Sequence, residues 1–147
     1  MIHHSAAGEP AVAVHRQPVA LAAVLLGGMA GTLARWAVGR WLPALAGWPL
    51  ATLLVNLTGA FCLGWLLAAL RRSGPDEAGR RVVRLLLGTG FLGSFTTMSA
   101  LAVELVLLAR QAQWATALGY LGTSLLGGAV LACCGVLVAE RGRGEHR

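Results

Sequence analysis

Leu85 to Val103 reads LLLGTGFLGSFTTMSALAV, nineteen residues without a charge. A hydrocarbon core of about 30 Å takes about 20 helical residues, so the stretch is long enough to cross a bilayer. It is not a plain span. Gly88, Gly90 and Gly93 fall close together, and the hydroxyls of Ser94, Thr96, Thr97 and Ser99 follow. Glycine costs about 1 kcal/mol of helix propensity relative to alanine. The run therefore predicts a helix broken near mid-membrane. Such backbone is tolerated only where it is buried in protein or lines a cavity, and its freed carbonyl oxygens can hold a hard cation such as Na⁺. An intact helix with a glycine packing face is the other reading.

Three further apolar runs flank this one. Pro18 to Ala34 is uncharged and extends as helix to about Trp41. Trp41 to Leu70 is uncharged, and so is Gln111 to Ala139. The expectation is an all-α membrane protein with four transmembrane helices at about 19–41, 48–70, 84–109 and 113–139, within one domain of residues 18–140. Residues 1–17, with His3, His4 and His15, read as a disordered polar tail, and residues 141–147 as a basic one. The first run lacks a small-residue cleavage site, so no secretory signal is expected.

Composition agrees. Of 147 residues, 56% are hydrophobic and 12% charged, and the mean hydropathy is +0.69. Soluble domains carry about 25% charge. A soluble enzyme and a nucleic-acid binder are excluded on this ground, although the net charge is +6. All twelve basic residues are arginine, placed mostly between and after the runs. Arg16, Arg71, Arg72, Arg80, Arg81, Arg84, Arg141, Arg143 and Arg147 fall on one side of a four-span chain. Arg35, Arg40 and Arg110 remain for the other. The positive-inside rule then puts both termini in the cytoplasm of a multi-pass plasma-membrane protein. Trp41, Trp48 and Trp114 mark the outer interface. Cys62, Cys133 and Cys134 lie in apolar runs with no CxxC, and indicate neither disulfides nor zinc.

The polar residues inside the spans carry the functional information. Gly27, Gly31 and Arg35 share one face of the first helix, either as a packing groove or with a structural or pore role for Arg35. Thr52, Asn56 and Gly59 form a stripe on the second. An amide at that depth must find partners, in a neighbouring helix or a water-filled path. Tyr120, Ser124 and Gly128 form a stripe on the fourth. Glu104 lies in the outer half of the third span and is a candidate proton carrier. No triad, metal-ligand cluster or phosphate loop accompanies them, so no enzyme is expected. Hydroxyls, an amide and a phenol in a membrane can replace water around a permeating ion.

Gly27-Gly28-x-x-Gly31-x-x-x-Arg35, Thr52-x-x-x-Asn56-x-x-Gly59-x-Phe61, Gly90-Phe91-x-Gly93-x-x-Thr96-Thr97-x-Ser99 followed by Glu104, and Tyr120-x-x-x-Ser124 occur in that order, one per span. Together they resemble the Fluc (CrcB) family of fluoride channels over about residues 19–139. The resemblance implies an antiparallel dual-topology dimer with two fluoride pores and passive export of cytoplasmic fluoride. It also implies one structural Na⁺ held by the backbone carbonyls of Gly93 and Thr96. Thr52, Asn56, Tyr120 and Ser124 match polar pore positions, while Gly27, Gly31, Arg35 and Glu104 match structural ones. The family usually reads Thr-Thr-Phe-Ser-x-Phe in the third span, with both Phe edges lining the pore. Met98 and Leu101 stand there in this chain, and Gly128 replaces a hydroxyl in the fourth span.

An aromatic edge is electropositive and can face an anion; leucine cannot. A non-conducting or orientation-fixed subunit of a heterodimer, paired with an oppositely oriented paralogue, is therefore the alternative to a homodimer. A small multidrug exporter is a further one, with Glu104 as its only candidate membrane carboxylate.

Overall fold

The computed structural model describes residues 18–43, 47–72 and 78–141. The expected polar tails, residues 1–17 and most of 141–147, lie outside the described residues. Among the described residues the structure is helical, with four segments long and apolar enough to span a membrane: Pro18–Trp41, Leu50–Arg72, Gly79–Arg110 and Trp114–Arg141. The first is α1 and the second α2. The third comprises α3 (Ala78–Val83), a wide-turned π-helical stretch (Arg84–Leu92), α4 (Gly93–Phe95) and α5 (Met98–Arg110). The fourth comprises α6 (Trp114–Gly122), a π-helical stretch (Thr123–Gly127) and α7 (Gly128–Arg141).

Lipid tails are as apolar as leucine, so helices associate in a membrane by close packing and hydrogen bonds rather than by hydrophobic burial. Two seams show this. Along the first, Gly27 and Gly31 of α1 meet the third span. A Cβ on Gly27 would run into the Leu86 carbonyl, and one on Gly31 into that of Phe91. These two glycines are packing positions. Along the second seam, Gly64 of α2 lies against the Ala132 carbonyl and Gly135 of α7 against that of Phe61. Ala68 and Ala139, each four residues further on, are buried beside them. Both helices thus present the small-xxx-small pattern that permits backbone contact.

Each seam joins helices of like direction. Gly127 meets Leu57, and seven residues further along α2 Gly64 meets Ala132, so α2 and α7 run parallel. Gly90 meets Val24 and Gly28 meets Ser94, so α1 and the third span also run parallel. α5 and α6 form an antiparallel pair through the turn Gln111–Gln113. That turn closes as a Schellman motif. Gln113 N–H donates to the Leu108 carbonyl at 3.0 Å and Ala112 N–H to that of Ala109 at 3.0 Å. Ala112 takes the left-handed position, with φ 56°.

The third span has 32 residues. As one straight helix it would extend about 48 Å, well beyond the core thickness of about 30 Å. Its backbone leaves the helix at two residues. Thr96 has φ −76° and ψ 159°, and Thr97 has φ −153° and ψ 123°. Both are extended, and α5 starts afresh at Met98.

Candidate functional site

Three helices converge on one carboxylate. Thr52 Oγ1 donates to Glu104 Oε1 at 2.6 Å, and Tyr120 OH donates to Glu104 Oε2 at 2.6 Å. Both carboxylate oxygens act as acceptors in these two short bonds. The α5–α6 turn explains the meeting. Glu104 is six residues before the end of α5 and Tyr120 six after the start of α6. Folding back at the turn brings both to the same depth, about 9 Å in. Thr52 enters from the first turn of α2.

Tyr120 is fully buried, against Leu101, Leu108 and Ala117, with Trp48, Leu53 and Leu105 around them. The Trp48 ring stands edge-on to the phenol, with centroids 6.3 Å apart and planes at 82°. An open cleft of about 390 Å³ reaches Glu104 along Pro49, Leu50 and Gln111.

The second cluster braces the extended residues. Asn56 Oδ1 accepts from Thr97 N–H at 2.8 Å, and Asn56 Nδ2 donates to the Thr97 carbonyl at 3.0 Å. The side-chain amide pairs with the backbone as a neighbouring strand would. Thr97 Oγ1 caps α5 by accepting from Ala100 N–H at 3.2 Å; capping residues of this kind satisfy an otherwise orphaned donor. It also shares a hydrogen bond of 3.1 Å with Ser99 Oγ.

These bonds have a consequence for two carbonyls. In an unbroken helix the Gly93 carbonyl would accept from Thr97 N–H and that of Thr96 from Ala100 N–H. Thr97 N–H is turned to Asn56 and Ala100 N–H to Thr97 Oγ1. Gly93 and Thr96 line an open groove of about 270 Å³, together with Asn56, Gly59, Gly88 and Met98. Two carbonyls released from their helical donors suit a hard cation that takes oxygen ligands. Among the described residues no group of three or more His, Cys, Asp or Glu offers a conventional metal site.

The other expected site residues fall as follows. Ser124 is buried, one turn beyond Tyr120, and its Oγ has no hydrogen-bond partner. Met98 is 67% exposed, on the surface of the groove, whereas Leu101 at 2% belongs to the core beneath Tyr120. Arg35 is half-buried, and no hydrogen bond joins it to either cluster. Sequence reasoning gave Glu104 a structural place without its partners, and it missed Trp48 as a neighbour of Tyr120. Counting residues from the α5–α6 turn would have paired Glu104 with Tyr120.

Four apolar spans enclosing hydroxyls, an amide and a shared carboxylate define a multi-pass membrane protein. The chain belongs to the CrcB family: residues 22–136 match "CrcB-like protein, Camphor Resistance (CrcB)". It is 48% identical over 118 residues to fluoride-specific ion channel FluC 1 of Cutibacterium acnes, covering 80% of this chain and 82% of that protein. It is 44% identical over 118 residues to FluC 1 of Geobacillus kaustophilus, covering 80% and 95%. FluC 2 of the same organism is 38% identical over 125 residues, covering 84% and 95%.

Proposed function

We propose that this chain forms a fluoride-specific channel that lowers cytoplasmic fluoride by passive efflux across the plasma membrane. The observation that carries the reading is the polar series Thr52, Asn56, Tyr120 and Ser124, half-buried at Asn56 and buried at the other three, in a chain whose relatives are named fluoride-specific ion channels. Fluoride is small and strongly hydrated, so a narrow path must offer donors in place of water. Asn56 has one Nδ2 hydrogen left after pairing with Thr97. Ser124 has an uncommitted hydroxyl, and the two hydroxyls on Glu104 can turn to an arriving anion. Met98 and Leu101 stand where the family places aromatic edges.

The working unit is an antiparallel dimer with one structural Na⁺ on the carbonyls of Gly93 and Thr96. Support for the ion comes from the diversion of both helical donors. The test is fluoride efflux from liposomes holding the purified chain, read with a fluoride electrode, with and without a proton gradient. Gradient-independent, fluoride-selective efflux is expected. Efflux that requires the gradient would overturn passive conduction.

A second reading is that this chain is one orientation-fixed half of a heterodimer. Nine arginines against three favour a single insertion direction, and Geobacillus kaustophilus has two such relatives. Multidrug export is less well supported. Both oxygens of Glu104, its one candidate carboxylate, already accept hydrogen bonds from Thr52 and Tyr120.

A further inference from the structure

A third cavity lies away from both polar clusters. It is a groove of about 210 Å³ between α2 and α7, lined by Gly64, Leu67, Ala68 and Arg71 of α2 and Val136 of α7. The four α2 residues recur at i, i+3, i+4 and i+7, so they form one continuous face. Gly64 and Ala68 are small because the seam to α7 requires it, and the same smallness leaves the groove beside the seam unfilled. From Gly64 to Arg71 it extends about 10 Å along the helix. That is roughly a third of the hydrocarbon core, within a single leaflet. Arg71 is exposed at its mouth, one residue before the end of α2, where a span of this length reaches the headgroup level.

The charge at this end is net positive. Arg72 follows Arg71. Arg141 ends α7, which runs parallel to α2, and Arg80, Arg81 and Arg84 open the third span. Glu140 is the one carboxylate there among the described residues. An apolar slot beneath a guanidinium complements a molecule with a hydrocarbon tail under an anionic phosphate. Arginine matches phosphate geometry through its planar fork of donors.

We infer that the α2–α7 groove binds one anionic phospholipid, with an acyl chain along Gly64, Leu67, Ala68 and Val136 and its phosphate on Arg71. The site does not depend on which ion the protein conducts. It makes the arginine-rich end a lipid-anchoring point as well as an orientation signal.

Native mass spectrometry of the purified protein, titrated with phosphatidylglycerol or phosphatidylcholine of identical chains, tests this. Selective retention of phosphatidylglycerol is expected. Arg71→Gln should lower its apparent affinity about fivefold, the effect of one interfacial arginine, while Arg71→Lys retains most of it. Arg81→Gln, at the same end but outside the groove, should change little. Equal losses in Arg71→Gln and Arg81→Gln would show diffuse attraction and overturn the site. Dihexanoyl phosphatidylglycerol should bind far more weakly than the long-chain lipid; equal binding would reduce the site to a phosphate contact and overturn the acyl groove. A photo-reactive side chain at position 67 should capture lipid. Capture of a second copy of the chain would assign the groove to a protein interface and overturn the proposal.

Discussion

Asn56 does with one side chain what a helical turn does with backbone: it supplies an acceptor and a donor to Thr97. Asn56→Ala leaves both Thr97 groups unpaired inside the membrane. Hydrogen bonds between spans contribute about 0.6 kcal/mol on average and up to about 1.7. Loss of the pair should therefore lower stability by roughly 1–3 kcal/mol, read as a drop in Tm in detergent. Asn56→Asp retains the acceptor for Thr97 N–H but sets an anionic oxygen against the Thr97 carbonyl and in the proposed anion path. Fluoride flux should be abolished; flux near that of the parent chain would remove Asn56 from the pathway.

At Glu104 the informative change is Tyr120→Phe, which deletes the donor to Oε2 and preserves the ring beside Trp48. A loss of about 1.4 kcal/mol corresponds to a factor of ten, so flux should fall about tenfold, with the modest drop in Tm of one lost hydrogen bond between spans, about 1 kcal/mol. An unchanged rate would confine the phenol to packing.

Among the elements, the α5–α6 turn carries a local strain. Ala112 holds the left-handed C′ position, where a Cβ costs roughly 1–2 kcal/mol. Ala112→Gly relieves this while adding unfolded-state entropy, and should raise stability by about 1 kcal/mol net. A lower Tm would contradict the Schellman geometry.

The glycines of the first and third spans separate packing from ion binding. Gly27→Ala drives a methyl into the Leu86 carbonyl and should impair folding of the protomer. A Cβ on Gly93 meets only the Gly88 carbonyl, at 3.7 Å, an ordinary contact. Gly93→Ala should therefore fold as a protomer, and any damage it does falls on the proposed sodium site or on assembly. Thr96→Ser should be mild, since the carbonyl and not the side chain is the proposed ligand. The readout is Tm in Na⁺ against a bulky organic cation. A sodium-dependent increase in the parent chain, reduced in Gly93→Ala, is expected. No sodium dependence in the parent would remove the ion.

For the whole molecule the choice of partner follows from charge. A chain with nine arginines on one side and three on the other should insert mainly in one direction, and copies of one direction cannot make an antiparallel pair. If the chain is one half of a heterodimer, it should give little protection when expressed alone in a fluoride-sensitive cell. Co-expression with a paralogue of opposite arginine bias should restore it, and that paralogue could supply aromatic edges absent at Met98 and Leu101. Full protection by the chain alone, with one labelled position reached from both faces, would establish the homodimer instead.

The helical character and the number of spans could be read from the chain. Each rests on a local rule: about twenty apolar residues to cross a bilayer, and a 3.6-residue period that places Thr52, Asn56 and Gly59 on one face. The glycine-rich stretch Gly88–Ser99 likewise announced a weak helix, because propensity is a local quantity. What these rules could not give is which stripe meets which. Two residues far apart in the chain share a site only if their helices pack at matching depth. That depends on the α5–α6 turn, which sets Glu104 opposite Tyr120, and on the seams that small residues allow. The sequence therefore determined a four-span membrane chain with polar groups in its spans. The tertiary structure decided that Thr52 and Tyr120 share Glu104, that Asn56 holds Thr97, and that Leu101 packs beneath Tyr120 while Met98 lies open. Hydrogen bonds reach only about 3 Å, and only packed helices bring such groups that close.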